Sequence, residues 1–96
     1  MKQKIKIIQG SKTLYQGRIA DMPIKHDFII QKSIELFGDD DPCIIHQSYV
    51  IKEYVDEVLQ LFKQNSTSEL VLKTLPKPLL FLDIENLQDT IIILEG

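Results

Sequence analysis

The only cysteine of the chain, Cys43, stands three residues before His46, one of its two histidines. If this stretch is helical, the two side chains share a face and Pro42 puts Cys43 in the first turn. A helix N-terminus and an imidazolium both stabilise a thiolate, so the pair is a candidate for nucleophilic catalysis. Free cysteines are among the most buried residue types, and the adjacent Ile44 and Ile45 favour a core position for Cys43. The sequence therefore favours a structural cysteine over a catalytic one.

Residue types that bind metal ions or phosphates occur in this chain, but their spacing does not form a site. Cys43 and His46 supply two ligands, whereas structural zinc takes four, and no second Cys or His pair follows. The three aspartates at 39–41 lack the central glycine and terminal glutamate of a twelve-residue calcium loop. The four glycines never cluster, which excludes a phosphate-binding loop. We therefore expect no metal ion, no cofactor and no enzymatic activity.

Lysines at alternate positions near the start form the most ordered charge pattern in the chain. Lys2, Lys4 and Lys6 share one face of a β-strand, and Arg18 adds a further positive charge on the next predicted strand. Such a row could contact a polyanion such as nucleic acid, which is one functional hypothesis. Lysines on an edge strand also prevent edge-to-edge pairing, and no tryptophan is present to stack on bases. Nucleic acid is therefore the less favoured partner.

Composition and charge are typical of an ordinary globular domain. The 96 residues, of which 44% are hydrophobic and 26% charged, predict a single domain over 1–96. The net charge of −3 disfavours binding to nucleic acid or to an anionic membrane, and no apolar run is long enough to cross a membrane. The polar start of the chain and its single cysteine predict a cytoplasmic protein. The abundance of isoleucine, and of lysine over arginine, favours an AT-rich coding source, either a bacterium or its phage.

The apolar periodicity of the first third predicts a hairpin followed by a helix. Residues 2–8 and 13–19 alternate in strand fashion on either side of turn residues, which predicts a β-hairpin. Gly17, inside the second strand, indicates a bulge or a close backbone approach. Apolar residues at helical spacing then predict a first helix over 23–37, which Gly38 ends in a left-handed conformation.

The rest of the chain predicts one more helix and three strands. A strongly amphipathic pattern predicts a helix over 48–63, while residues 42–46 fit either a strand or a helical turn. Residues 69–75, 79–84 and 90–95 have strand character, with a proline turn at 76–78 between the first two.

This order, ββααβββ, predicts an α+β fold in which two helices pack on one face of a mostly antiparallel sheet. The opening hairpin and helix followed by late strands are also compatible with a ubiquitin-like β-grasp arrangement, an alternative that rests on topology alone.

The function that these patterns favour is contact with another protein, without catalysis. The last two predicted strands are apolar on both faces, and two helices do not cover both faces of a five-stranded sheet. We therefore expect the second face to meet a protein partner or a second copy of the chain, which would make a homodimer. Tyr49, on the second helix, is a candidate contact residue. Binding of nucleic acid or another polyanion through the basic hairpin is the alternative function.

Overall fold

The computed structural model describes residues 2–75, 79 and 81–95 and has an α+β fold. The β-strands and α-helices follow in the order β1 (Lys4–Gln9), β2 (Lys12–Arg18), α1 (His26–Phe37), α2 (Ile44–Gln64), β3 (Glu69–Val71) and β4 (Thr90–Glu95). Short 3-10 turns occupy Ile19–Asp21, Leu72–Thr74 and Leu87–Asp89. The strands form one antiparallel sheet in the order β2-β1-β4-β3.

The predicted N-terminal hairpin is confirmed. A tight turn joins β1 to β2, and Gly10 supplies its left-handed residue, with φ of 61°. The register shifts between Ile7 and Ile8, because Leu14 is an extra residue on β2. The bulge therefore lies before Gly17, while Gly17 itself accommodates the Tyr15 side chain, whose hydroxyl would lie 2.8 Å from a Cβ at this position.

The two faces of the sheet differ because side chains alternate along each strand. On the inner face, Ile5, Ile7 and Ile92 are completely buried. The helix α2 covers this face with a stripe at helical spacing, comprising Tyr54, Val55, Val58 and Phe62. The helix α1 lies on the same side, where Phe28 packs against the core. The predicted arrangement of both helices on one sheet face is therefore what the chain adopts.

A buried hydroxyl fixes α2 to the end of the N-terminal β-hairpin. The Tyr54 hydroxyl donates a hydrogen bond of 2.6 Å to the carbonyl oxygen of Ala20, in the 3-10 turn after β2. Burial of the ring, with a smaller contribution from the Asp21 carboxylate, raises the pKa of Tyr54 to about 12. Tyr54 thus joins the helical layer to the sheet through both packing and a hydrogen bond.

Both helices begin at residues other than those predicted. The helix α1 starts at His26 and not at 23, because the preceding residues pair with a later segment: Ile24 forms a β-bridge with Leu82, and the Lys25 amide donates to the carbonyl of Phe81 at 2.9 Å. The helix α2 starts at Ile44, four residues earlier than predicted, so that residues 44–46 are helical, whereas 42 and 43 precede the helix. Gly38 does end α1 in the left-handed conformation, with φ of 66°.

The predicted strand at 69–75 is longer than the one observed, and the predicted strand at 79–84 is wrong. The first ends at Val71, where the chain enters a 3-10 turn. Among the described residues of 79–84, only Leu82 forms a β-bridge, although these residues are largely buried. The described sheet therefore has four strands, with 90–95 confirmed as β4; the predicted turn at 76–78 lies outside the described residues.

The β-grasp alternative is not the arrangement found. That arrangement places the first and last strands side by side in parallel. Here β1 and β4 are neighbours but run antiparallel, with Lys4 opposite Glu95 and Gln9 opposite Thr90. The fold is an antiparallel sheet with a helical hairpin inserted between its two strand pairs.

We predict that replacing Ser33 with alanine raises the stability of the fold. Ser33 is completely buried in α1, and its hydroxyl has no hydrogen-bond partner among the described residues. Removing an unsatisfied buried hydroxyl should raise the free energy of unfolding by about 1 kcal/mol. Urea unfolding followed by circular dichroism measures the change. Ser48→Ala is the matched control, because the exposed Ser48 hydroxyl bonds to the Ile44 carbonyl. A loss of stability in Ser33→Ala would contradict this prediction.

Candidate functional site

A tight connection joins the two helices at the end away from most of the core. The Gly38 amide donates to the Ile34 carbonyl at 2.8 Å and closes the last turn of α1. Six residues then lead to α2, whose N-cap residue is Cys43. We call residues 34–49, comprising the end of α1, this connection and the start of α2, the hairpin tip.

A carboxylate and an imidazole hold the connection in place. The His46 Nδ1 lies 2.8 Å from the Asp39 Oδ2, and the His46 ring stacks on Phe37 at a centroid distance of 4.0 Å. The other Asp39 carboxylate oxygen accepts a hydrogen bond from the Asp41 amide at 3.0 Å. The bond to His46, followed by that to Asp41, lowers the pKa of Asp39. The Asp39 side chain therefore holds the loop to α2, and the stack of His46 on Phe37 holds the start of α2 to the end of α1.

The hairpin tip exposes large apolar side chains. Ile44 is 82% exposed, Ile45 68% and Tyr49 55%, although all three are on a helix of 21 residues. Every large hydrophobic residue that is exposed in the described chain lies here: Ile34, Leu36, Phe37, Ile44, Ile45 and Tyr49. Such clustering differs from the scattered single residues of an ordinary surface.

These side chains belong to a region that projects from the core. The first buried residue of α2 is Val50, so residues 44–49 extend about 9 Å beyond it. The Phe37 and Tyr49 rings lie 5.6 Å apart and join the exposed faces of the two helices. Five surface grooves elsewhere are all lined by residues outside 34–49. The tip therefore presents an outward apolar surface suited to contact with a macromolecule.

The acidic side chains of the hairpin tip outnumber its basic ones. Residues 34–49 include four carboxylates and neither lysine nor arginine. Asp39 is engaged by His46, whereas Asp40 and Asp41 are exposed at the end of the molecule. The apolar surface thus has an acidic border.

We predict that Asp39→Asn lowers stability only where Asp39 is ionised. Because the folded pKa of Asp39 is below the ordinary value of 3.8, its contribution is present above that value and is lost as the pH falls through the folded pKa. Thermal unfolding should show the variant less stable than the parent at about pH 5, with the two converging as the pH falls through the folded pKa. Asp40→Asn, which alters an exposed neighbouring carboxylate, is the control. A difference that persists unchanged at low pH would disprove the ionic origin of the effect.

The cysteine does not occupy the core position that the sequence favoured. Cys43 is exposed. The flanking Ile44 and Ile45 are exposed as well, because they lie in the first turn of α2, ahead of its first buried residue, Val50. His46 interacts with Asp39 and Phe37. The apolar residues around Cys43 therefore belong to the tip surface.

The basic residues singled out in the sequence lie on the outer face of the N-terminal β-hairpin, except that Lys2 precedes its first strand. Lys4 is the cross-strand neighbour of Arg18 on one side and of Glu95 on the other. Arg18 forms an ion pair of 2.8 Å with Asp21, so part of the positive charge is locally compensated. Lys6 follows Lys4 on the same face. Tyr49 is not near this group, since it lies on the tip.

Tyr49 is the one tip residue that the sequence predicts as a contact residue. Their spacing places Ile34 and Phe37 in the apolar stripe that predicts the first helix, and residue type favours a core position for Ile44 and Ile45. A usable signal was present, because Ile45 and Tyr49 are four residues apart and share a helix face that does not coincide with the stripe of Val50 and Tyr54.

The outer face of the sheet is half-exposed. Ile8, Ile91 and Ile93 alternate with the buried residues of the same strands and are only partly covered. Formation of a homodimer through this face stays a prediction. Light scattering at micromolar concentration tests it, and the mass of a single chain would count against it.

The described residues contain neither a metal-ligand cluster nor a membrane-spanning helix. No cluster of three or more potential metal ligands was identified among residues 2–75, 79 and 81–95. Within the same residues, neither helix is sufficiently long and apolar to cross a membrane.

Comparisons with known proteins do not assign the chain to a family. No protein-family model, no curated protein and no solved structure matches it significantly. The geometry of the chain itself is therefore the basis for its proposed function.

Proposed function

We propose that this chain is a non-catalytic protein-interaction module that binds its partner through the hairpin tip. The observation that carries the proposal is the concentration of exposed large apolar side chains in residues 34–49. The anchored loop supports it further, since the Asp39–His46 bond and the Phe37 stack hold the surface in one conformation before binding. A preorganised surface loses less conformational entropy on association.

The size of the apolar surface suits a specific contact. At about 150–250 Å² for each large side chain, the exposed fractions correspond to an area on the order of 600 Å². This value is at the upper end for the largest apolar patch of a typical monomer, and such patches are often functional. Together with its polar border, it approaches the area of roughly 800 Å² that each partner buries in a stable complex.

Polyanion binding by the outer face of the N-terminal β-hairpin, β1 and β2, is the second candidate. It is favoured by the cross-strand arrangement of Lys4 and Arg18, with Lys6 on the same face. The adjacent Glu95 and the Arg18–Asp21 ion pair weaken the local positive potential. We therefore rank this candidate below the hairpin tip.

The compartment that we propose is the cytoplasm of a bacterial cell. The exposed position of Cys43, the single cysteine, supports this choice, because a free surface thiol persists best under reducing conditions.

Site-specific photocrosslinking tests the proposed function. A photoreactive amino acid replaces Tyr49 on the tip or, as a matched control, Gln60, an exposed polar residue on the same helix. Crosslinking is carried out in the native cells, and the products are resolved by mass after nuclease treatment. We expect one defined protein adduct from position 49 and none from position 60.

Second-site variants identify the surface responsible. Ile45→Gln reduces the exposed apolar area without adding charge and should reduce the yield of the adduct at least fivefold. Lys4→Glu/Lys6→Glu should leave it unchanged. If the adduct vanished with nuclease and with the lysine variant, the polyanion candidate would replace the proposed function. Equal adducts from positions 49 and 60 would also overturn it.

A further inference from the structure

We infer that the partner surface is an amphipathic helix whose apolar face is flanked by lysine or arginine. The inference rests on the proposed function and adds the chemistry of the partner. It depends on the shape and the charge of the hairpin tip, which were described above from different residues.

The apolar surface has the width that a single helix covers. Ile34 and Phe37 are three residues apart on α1, and Ile45 and Tyr49 are four apart on α2, so each pair lies on one helix face. The contact between the Phe37 and Tyr49 rings joins the two faces into one surface that spans two helices. A third helix that packs against such a pair covers both with residues at spacings of three and four.

The acidic border selects the charge of that helix. Asp40 and Asp41 are exposed in the loop that joins the two apolar helix faces, whereas the exposed Glu35 of α1 forms an ion pair with Lys32 at 3.4 Å. No lysine or arginine lies within residues 34–49, and Asp40 and Asp41 form no ion pair among the described residues. Complementary charges at the rim of an interface raise the association rate and exclude wrongly charged partners. A cationic flank on the partner is the complement of this border.

A second copy of the chain fits the same surface less well. A two-fold contact between two tips would bring the acidic segments 39–41 of both copies together, and like charges oppose association. The available area is also below that of an obligate homodimer, which buries 2,000 Å² or more in total, as a rough bound. The same carboxylates would repel an anionic membrane surface.

A set of three synthetic helices provides the test. Each peptide has about 18 residues and the same leucine face, and the flanking positions are lysine, glutamine or glutamate. Fluorescence anisotropy measures the dissociation constant of each labelled peptide with the intact protein. We expect the lysine peptide to bind about tenfold more tightly than the glutamine peptide, and the glutamate peptide to bind most weakly.

Charge-matched variants show whether binding takes place at the tip. Asp40→Lys/Asp41→Lys should abolish or reverse the preference for lysine. Asp83→Lys/Glu85→Lys makes the same change in net charge at exposed residues outside the tip, and it should retain the preference. Ile45→Gln/Tyr49→Gln should weaken the binding of all three peptides to a similar degree, because this variant loses apolar contact area. Circular dichroism confirms that each variant is folded.

Defined outcomes overturn the inference. It fails if the three peptides bind equally, or if the two charge-reversal variants lose the preference equally, since either result removes the role of the tip carboxylates. If the protein in solution has twice the mass of one chain, and if Ile45→Gln/Tyr49→Gln restores the mass of one chain, a second copy is the occupant of the tip. Cosedimentation with neutral phosphatidylcholine vesicles through the same residues would make a membrane the occupant. The proposed function fails separately, through the crosslinking experiment, whatever the charge of the peptides.

Discussion

Replacing Ile92 with alanine is expected to lower the free energy of unfolding by about 3–4 kcal/mol, a large part of the stability of a domain of this size. Ile92 is completely buried at the centre of the inner sheet face, opposite Ile7 on β1 and Leu70 on β3. Three methyl or methylene groups would be lost where strands from both sides meet, and the rigid sheet cannot close around the resulting cavity.

The next residue of the same strand supplies the control. Ile93 points to the outer face and is partly exposed, so Ile93→Ala should cost less than about 1 kcal/mol. Urea unfolding of both variants measures the difference while strand, residue type and substitution stay the same. Equal losses from the two variants would mean that the outer face is as well covered as the inner one.

Gly17→Ala should be the second strongly destabilising change, with a loss of about 2 kcal/mol. Gly17 has φ of 156°, which residues with a side chain rarely adopt. A Cβ would also lie 2.8 Å from the Tyr15 hydroxyl, which donates to the Arg18 carbonyl and is held in place by that bond. Both the backbone and the contact therefore oppose the substitution.

A double-mutant cycle separates these two causes. Tyr15→Phe removes the hydroxyl but leaves the ring, whose nearest carbon would be 3.2 Å from the Cβ. Gly17→Ala should consequently cost less in the Tyr15→Phe background than in the parent. Chemical unfolding of the four proteins gives the coupling energy. An unchanged cost would assign the whole effect to the backbone conformation.

The parts of the fold that the sequence predicts well are those with a regular period. Alternation over 2–8 and the three-and-four spacing from Val50 to Phe62 each match one secondary structure, and both elements are found. Residues 79–84 have no such period. Leu79, Phe81 and Leu82 are buried, but an apolar run alone does not distinguish a strand from an irregular segment that packs against the core.

The hairpin tip was harder to predict because hydrophobicity indicates burial only on average. Ile44 and Ile45 are of a residue type that is usually buried, and their exposure results from their position ahead of the part of α2 that packs on the core, which begins at Val50. That relation is a property of the tertiary arrangement, which local spacing does not contain. Tyr49 could be proposed as a contact residue because it stands outside the apolar stripe of its own helix.

The position of β4 has a consequence for how the protein folds. This strand lies between β1 and β3, so the sheet is completed only when residues at opposite ends of the described chain, such as Lys4 and Glu95, come together. Closing so long a loop costs chain entropy before any strand contact compensates it, and proteins with many distant contacts fold slowly. During synthesis, the N-terminal hairpin emerges early but lacks its central neighbour. The rate-limiting step is therefore expected to be the docking of β4, which takes place after the helices have left the ribosome.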